Sequence, residues 1–373
     1  MTAADKACGA CIRRASLLGA LSPLIERIAT GGPRSGGREL LALPDDALMR
    51  TLAPGGSPGL GAARSRILGE DRLRARLDAL GLWSTCRHRA DYPAGLANLE
   101  AQAPAALFGR GDRTLHSSLE GVGNVAIVGA RRATAYGRAS AAELGRQLAG
   151  CGVTVISGLA NGIDSCAHEG ALDGGGMTVA VLGAGADRAY PPGQARLYER
   201  IVADGLVISE LPPGSRPFRW TFPARNRIMA ALAELTVVVE AAERSGSLIT
   251  AEMTLDLGRE LGAVPGPINS AAHDGANRLL FEGARVIRGA QDVLDVVYGP
   301  GAREVVEHGA ELSPVAELIL SGVERRESPD AIAATLSASP AEVASELSEL
   351  ELLGYITCDA VGLYMRTSLR RSG

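Results

Sequence analysis

Near the centre of the chain, Pro223-Ala224-Arg225-Asn226-Arg227 precedes an apolar run, Thr236 to Glu240, and then Ser245-Gly246-Ser247-Leu248-Ile249-Thr250. Guanidinium groups and a turn of small residues at the ends of successive elements suit phosphate, because an arginine fork meets phosphate oxygens with parallel hydrogen bonds. Arg225 and Arg227 are two residues apart on a helix-like stretch and cannot face the same way. Either can pair with Asp164 or Glu240 instead. A second turn, Val128-Gly129-Ala130-Arg131-Arg132-Ala133-Thr134-Ala135-Tyr136-Gly137, has the same character. Gly129 lets the backbone turn sharply, and the free N–H groups that open the following helix stabilise an anion. The dinucleotide spacing Gly-x-Gly-x-x-Gly is absent here.

A third turn, Ser157-Gly158-Leu159-Ala160-Asn161-Gly162-Ile163-Asp164, brings another small, donor-rich loop. Asp164 reads as a helix cap or as the partner of an arginine. His168, set among small residues, reads as a packed side chain rather than a catalyst. Leu182-Gly183-Ala184-Gly185 and Ser209-Glu210-Leu211-Pro212-Pro213-Gly214 add two more glycine-bearing loops, which together define a long groove rather than one tight pocket. The sheet region holds no Ser-His-Asp set, no histidine-rich metal cluster and no paired carboxylates at a strand end. Binding is expected, not enzymatic catalysis.

The elements that position these loops follow from periodicity. Short apolar strands are predicted at Val125 to Val128, Val153 to Ile156, Thr178 to Leu182, Leu206 to Ile208, Thr236 to Val239 and Ala263 to Val264. Helices are predicted around 137–149, 162–172, 195–203, 226–232 and 248–261. Such alternation gives an α/β fold, a mainly parallel sheet with helices on both faces, which binds ligands at the carboxyl ends of its strands. Residues 12–84 read as short helices, at 12–28 and 67–80, broken at Gly31-Gly32-Pro33 and at 53–59. Residues 91–112 read as a lead-in arm. After about 300, helices near 312–322, 329–336 and 340–353 and a terminal hairpin have the order of a winged helix. Ser328-Pro329 and Ser339-Pro340 mark two of the helix starts. Glu342, Glu346, Glu349 and Glu351 make the third helix too acidic for a DNA groove. The expected domains are 1–88, helical; 89–300, the sheet domain with its arm; and 301–373, the winged helix.

Composition narrows the class. A chain of 373 residues has room for two or three domains. A net charge of -4 argues against coating duplex DNA indiscriminately, so any nucleic-acid site is local. Lys6 is the only lysine, which excludes a P-loop lysine. With no apolar leader and no apolar run of 18 residues, a cytoplasmic protein with no membrane partner is expected. Cys8-x-x-Cys11 and Cys86-x-His88 together offer the ligand set of a structural zinc site. Their separation in sequence favours chance, and no metal and no cofactor is expected.

These residues resemble the DNA-processing protein A (DprA, or Smf) family. The resemblance runs in order from Tyr92-Pro93 and Leu107-Phe108 through Gly129-Ala130-Arg131, Ser157-Gly158-Leu159-Ala160-x-Gly162-Ile163-Asp164, Ala167-His168, Tyr190-Pro191, Ser209-Glu210, Arg225-Asn226-Arg227, Ser245 to Ala251 and Pro265-Gly266 to Gly283-Ala284. It implies an extended Rossmann-like domain that binds single-stranded DNA, forms a homodimer and helps load a RecA-type recombinase in natural transformation. Arg131, Arg225 and Arg227 would then meet phosphates, and Gly129, Ser157, Gly158 and Gly246 would line the groove. Arg132, Gly162, Asn226, Ser245 and Ser247 complete the expected DNA-binding set. Ala130 stands where the family usually has Ser, and Ala271-Ala272-His273 where a Ser is common. Aromatic residues are only 3% of the chain, so phosphate contacts should dominate over stacking; Trp220, Phe222 and Tyr190 are the rings nearest the expected edge.

Two other readings compete. Related folds include phosphoribohydrolases of the Lonely Guy type, whose Pro-Gly-Gly-x-Gly-Thr-x-x-Glu loop would put its acid near Glu252; here the glycine spacing fails. A passive scaffold that only binds protein partners is the other. Arg225→Glu separates them on sequence grounds, abolishing strand binding only if the groove is functional.

Overall fold

The computed structural model describes residues 6–29, 36–52, 65–113, 115, 119, 123–305, 312–353, 355–358 and 363–366. The breaks expected at 31–33 and 53–59 lie outside them. The chain divides into two compact units, residues 1–304 and 305–373.

In the first unit, α1 (Gly9–Ala29), α2 (Gly36–Leu41), α3 (Asp45–Leu52) and α4 (Glu70–Ala79) precede the sheet. Leu17, Leu21, Leu24 and Ile25 of α1 bury one face against Leu48 and Leu52 of α3 and against Trp220 and Ala224. The Trp220 indole N–H donates to the Ser22 carbonyl at 3.1 Å, and the Trp220 amide donates to Glu26 Oε2 at 3.1 Å. Trp220 is therefore a clasp between α1 and the main domain, not a ring on a ligand-facing edge.

Nine strands form one sheet in the order β1-β2-β6-β5-β4-β3-β7-β8-β9. They are β1 (Trp83–Cys86), β2 (Ala106–Gly111), β3 (Val125–Val128), β4 (Val155–Ser157), β5 (Thr178–Val181), β6 (Leu206–Ser209), β7 (Leu235–Val238), β8 (Glu260–Ala263) and β9 (Arg285–Val286). From β6 to β9 across the sheet all neighbours are parallel; β1 pairs antiparallel with β2, and β2 with β6. The inner strands are wholly buried, which is why Val125-Ala126-Ile127-Val128 and Leu235-Thr236-Val237-Val238 read as near-continuous apolar runs. The arm expected before the sheet is in part a strand of it: residues 106–111 form β2. Residues 83–86, assigned by sequence to the N-terminal domain, form β1. Neither has the isolated β-branched run that marks a buried parallel strand.

The crossover helices are α5 (Ala135–Gly150), α6 (Ile163–Asp173) and α7 (Ala195–Asp204), then α8 (Thr221–Leu232), α9 (Ser247–Asp256), α10 (Asp274–Phe281) and α11 (Ala290–Tyr298). The helix expected over 248–261 stops at 256, because Gly258 turns the chain at φ 63° and residues 260–263 enter β8. The chain runs β3-β4-β5-β6 towards one edge and then returns to place β7 on the other side of β3. α5 packs on α6 and α6 on α7, α8 packs on α9, and α11 returns to pack against α5. The order of the strands thus reverses between β3 and β7, and a crevice opens there at their carboxyl ends.

The second unit contains α12 (Pro314–Glu324), α13 (Pro329–Leu336), α14 (Pro340–Leu352) and an antiparallel pair, β10 (Ile356–Cys358) with β11 (Tyr364–Arg366). Ser313, Ser328 and Ser339 each accept a backbone N–H at their helix start, with proline in the first turn. Leu320, Ile332, Leu347 and Tyr355 share its core. Glu342 completes a capping box with Ser339, so one of the four acids is used in holding the helix start.

Candidate nucleic-acid interface

The crevice between β3 and β7 is a cleft of about 790 Å³. Its walls are the loop after β3, the loop after β7 and the start of α8. Glu240, wholly buried at the end of β7, builds it. Its carboxylate accepts the Thr134 hydroxyl at 2.5 Å and the Thr134 amide at 3.1 Å, while its backbone carbonyl accepts the Ala130 amide at 2.8 Å. Thr134 in turn caps α5 by accepting the Gly137 amide. Glu240 thus holds both ends of the loop 130–134, Thr134 by its carboxylate and Ala130 by its carbonyl, and Arg131 and Arg132 project from that loop, exposed.

Of the twelve residues expected to bind DNA, the cleft brings together Gly129, Arg131, Arg132, Arg225, Asn226, Ser245, Gly246 and Ser247. It does not bring Ser157, Gly158, Gly162 or Arg227 to its wall. The Ser157 hydroxyl is buried and donates to the Ile127 carbonyl at 2.6 Å, which ties β4 to β3. Gly158 is where the Arg225 guanidinium passes under the loop: a Cβ there would lie 1.6 Å from Arg225 Nη1. Gly162 turns the chain at φ 85° into α6, a conformation that favours glycine. Gly246 differs from both. It has an ordinary φ of -65°, and a Cβ would meet nothing within 4 Å, so its lack of side chain serves no packing need and leaves the start of α9 bare towards the cleft.

Arg227 is 2% exposed. Its guanidinium is bidentate to Glu210, at 2.7 and 2.6 Å, and also donates to the carbonyls of Gln102 and Ala224. Its partner is Glu210, not Asp164 or Glu240, and its fork is fully used inside the protein. Arg225 borders the cleft but is nearly as buried. It donates to the Val181 carbonyl at 2.6 Å and lies 3.7 Å from Asp164, which accepts the Gly158 and Ala160 amides. Burial pushes the Asp164 carboxyl up, against the pull of Arg225 and the two amides, and pushes the Arg225 guanidinium down to about 10. Arg225 still carries its charge at neutral pH. A reversal at Arg225 would set two carboxylates together in a dry site, so it reports folding as much as binding.

Sequence reasoning missed two cations on the wall, Arg219 and Arg244, both exposed. Arg244 immediately precedes Ser245-Gly246-Ser247, which was the available signal; Arg219 had none, since α8 begins at 221 rather than 226. The cleft therefore carries four exposed arginines, and none of them makes a salt bridge among the described residues. Asp164, the one acid on the wall among the described residues, is already tied to Arg225. Arg131 sits 5.0 Å over the Phe222 ring, and Tyr190 lies 5.6 Å from Phe222, making a short shelf of two rings and a guanidinium. Glu252, the acid of the hydrolase reading, is exposed on α9 and does not line the cleft.

His168 is a packed side chain. Its Nδ1 is 2.6 Å from Thr178 Oγ1, which donates to the Val155 carbonyl and so accepts from the ring; burial and the nearby Arg225 charge push its pKa down to about 3. The unfolded chain takes up that proton near pH 6.5, so the stability tied to neutral His168 is present above that value and is lost as pH falls towards 3. Between pH 7 and pH 5 the wild type should lose about 2 kcal/mol more than His168→Gln in urea unfolding. Equal losses would show that the ring protonates without unfolding its surroundings.

A doubly wound α/β domain with an arginine-lined cleft at its topological switch point has an architecture suited to anionic ligands. Residues 83–298 match the DNA recombination-mediator protein A family, over more than half of the chain. The chain belongs to that family, also known as DprA or Smf. It is 39% identical over 336 residues to a DprA of Mycobacterium tuberculosis H37Rv, covering 87% of this chain and 76% of that one. The crystal structure of DNA processing protein A from Streptococcus pneumoniae superposes with a TM-score of 0.58 at 31% identity, covering 78% of this chain and 98% of that one. DNA processing protein A from Helicobacter pylori, solved to describe its single-stranded DNA binding mode, gives 0.50 at 31% identity, with 55% and 91% covered. DNA processing and recombination is the role this membership supports. Among the described residues no helix is long and apolar enough to cross a membrane.

Proposed function

We propose that the cleft grips the phosphates of single-stranded DNA, and that the protein delivers this strand to a RecA-type recombinase as a cytoplasmic, non-enzymatic homodimer. The observation that carries the first part is the set of exposed arginines 131, 132, 219 and 244 around an opening with no free acid among the described residues. Guanidinium groups left without carboxylates on a concave surface are paid for by a polyanion, which releases its counterions on binding. The Tyr190 and Phe222 rings add a surface on which a splayed base can stack, worth about 1–3 kcal/mol per base. A duplex keeps its bases paired and offers no such face. The C-terminal unit, in this reading a winged helix, has a protein-contact or structural role rather than a DNA-binding one because of its acidic third helix.

Fluorescence anisotropy of a labelled oligonucleotide and of its duplex, each at two salt concentrations, tests the proposal. The expected result is preference for the single strand with a steep salt dependence. Equal affinity for both forms, or none at low salt, would refute it and return weight to the scaffold reading.

A further inference from the structure

Four residues outside the cleft meet at the far edge of the sheet. Cys8 lies just before α1 and Cys11 in its first turn; Cys86 ends the edge strand β1 and His88 follows in the next turn. Pairs separated by up to 80 positions in sequence converge: His88 Nδ1 is 3.4 Å from Cys8 Sγ and 3.3 Å from Cys11 Sγ. The Cys8 amide donates to Cys86 Sγ at 3.3 Å, and all four ligand atoms lie within 4.8 Å of one another.

A tetrahedral ion with Zn–S bonds of ~2.3 Å and a Zn–N bond of ~2.0 Å holds its sulfurs ~3.8 Å apart and its sulfur and nitrogen ~3.5 Å apart. The separations of His88 Nδ1 from Cys8 Sγ and Cys11 Sγ, 3.4 and 3.3 Å, are already close to that value. We propose that Cys8, Cys11, Cys86 and His88 bind one zinc ion as a closed structural site, against the sequence expectation of no metal. Thiolate and imidazole ligands select zinc over magnesium or calcium, which require oxygen. With four protein ligands there is no open position for water, so the ion holds structure and catalyses nothing. A multi-atom iron–sulfur cluster needs its cysteines spread more widely around it than this.

The surroundings fit the ion. Cys11 and Cys86 are buried and Cys8 is half-buried, while His88 is exposed and can swing onto the metal without repacking. The N–H donated to Cys86 Sγ is the kind of outer contact that steadies a coordinating thiolate. Ala7, the residue before, donates its amide to Ser84 Oγ of β1 at 3.2 Å, so the two chain segments are already docked. Binding three thiols as thiolates releases their protons and clamps α1 to β1, closing a long loop whose entropy otherwise opposes docking.

The test uses the full chain, expressed with added zinc and purified under reducing conditions without chelator. Elemental analysis should give one zinc per chain. Replacement by cobalt(II) should give thiolate-to-metal charge-transfer absorption and the intense visible bands of a tetrahedral site. His88→Ala, an exposed position, and Cys8→Ser should each weaken cobalt binding by more than about 100-fold, beyond the 10–100-fold effect of losing an outer-shell partner. A chain with Cys151, Cys166 and Cys358 all changed to Ser should keep its metal. Substoichiometric zinc with no cobalt spectrum, wild-type binding by either ligand variant, or loss of metal from the triple variant would overturn the site.

Discussion

Arg227→Met is expected to lower unfolding stability by about 3–5 kcal/mol, the cost of leaving a buried carboxylate without its partner. Glu210 is 6% exposed and the guanidinium forms its charged contact. Arg227 also joins three elements: the exit of β6 through Glu210, the end of the 3-10 segment Ala94–Gln102 through the Gln102 carbonyl, and α8 on which it sits. The double variant Arg227→Met/Glu210→Leu should recover more than half of the loss, since two apolar groups replace two charges and only the freed carbonyls stay short of a donor. Urea unfolding of the two variants against wild type checks this. A single-variant loss below about 1 kcal/mol would mean that water reaches the pair.

The second large effect concerns binding. Changing Arg131, Arg132, Arg219 and Arg244 together to Gln should leave stability near wild type, because all four are exposed and none has a carboxylate partner among the described residues. If each meets one phosphate, the slope of log affinity against log salt should shrink by roughly 0.7 per residue, or about 3 in all. At 0.1 M salt that corresponds to roughly three decades of affinity for single-stranded DNA, about 4 kcal/mol. Anisotropy at four or more salt concentrations gives both quantities. An unchanged slope would place the phosphates elsewhere on the protein. This design replaces the Arg225 reversal, whose burial confounds it.

The inner sheet was legible because β3, β5, β6 and β7 carry four-residue apolar runs bounded by turn residues, and burial on both faces produces such runs. The loops after β3 and β7 were legible for the same reason, as interruptions of that pattern by Gly, Ser and Arg. What could not be read is pairing over distance. Arg227 finds Glu210 seventeen positions away, across the exit of β6, and nothing local distinguishes it from Arg225 or Arg131. Ser157 and Gly158 look like ligand-binding residues because small residues serve two purposes, to admit a ligand or to admit another part of the same protein; here they admit Ile127 and Arg225. The antiparallel strands β1 and β2 were missed because such a pair at one side of a sheet needs a partner more than it needs a pattern, and the same pairing brings His88 to the two N-terminal cysteines.

The exposed cations of the cleft are all guanidinium groups, and the sole lysine, Lys6, is held by Asp78 on α4. Guanidinium stays protonated across the whole physiological range. The positive charge at the crevice is therefore fixed: acidification adds no cation to it, mild alkali removes none, and acetylation, which neutralises amines, has nothing there to neutralise. Ionic strength and competing anions are left as the means by which a cell could adjust the hold.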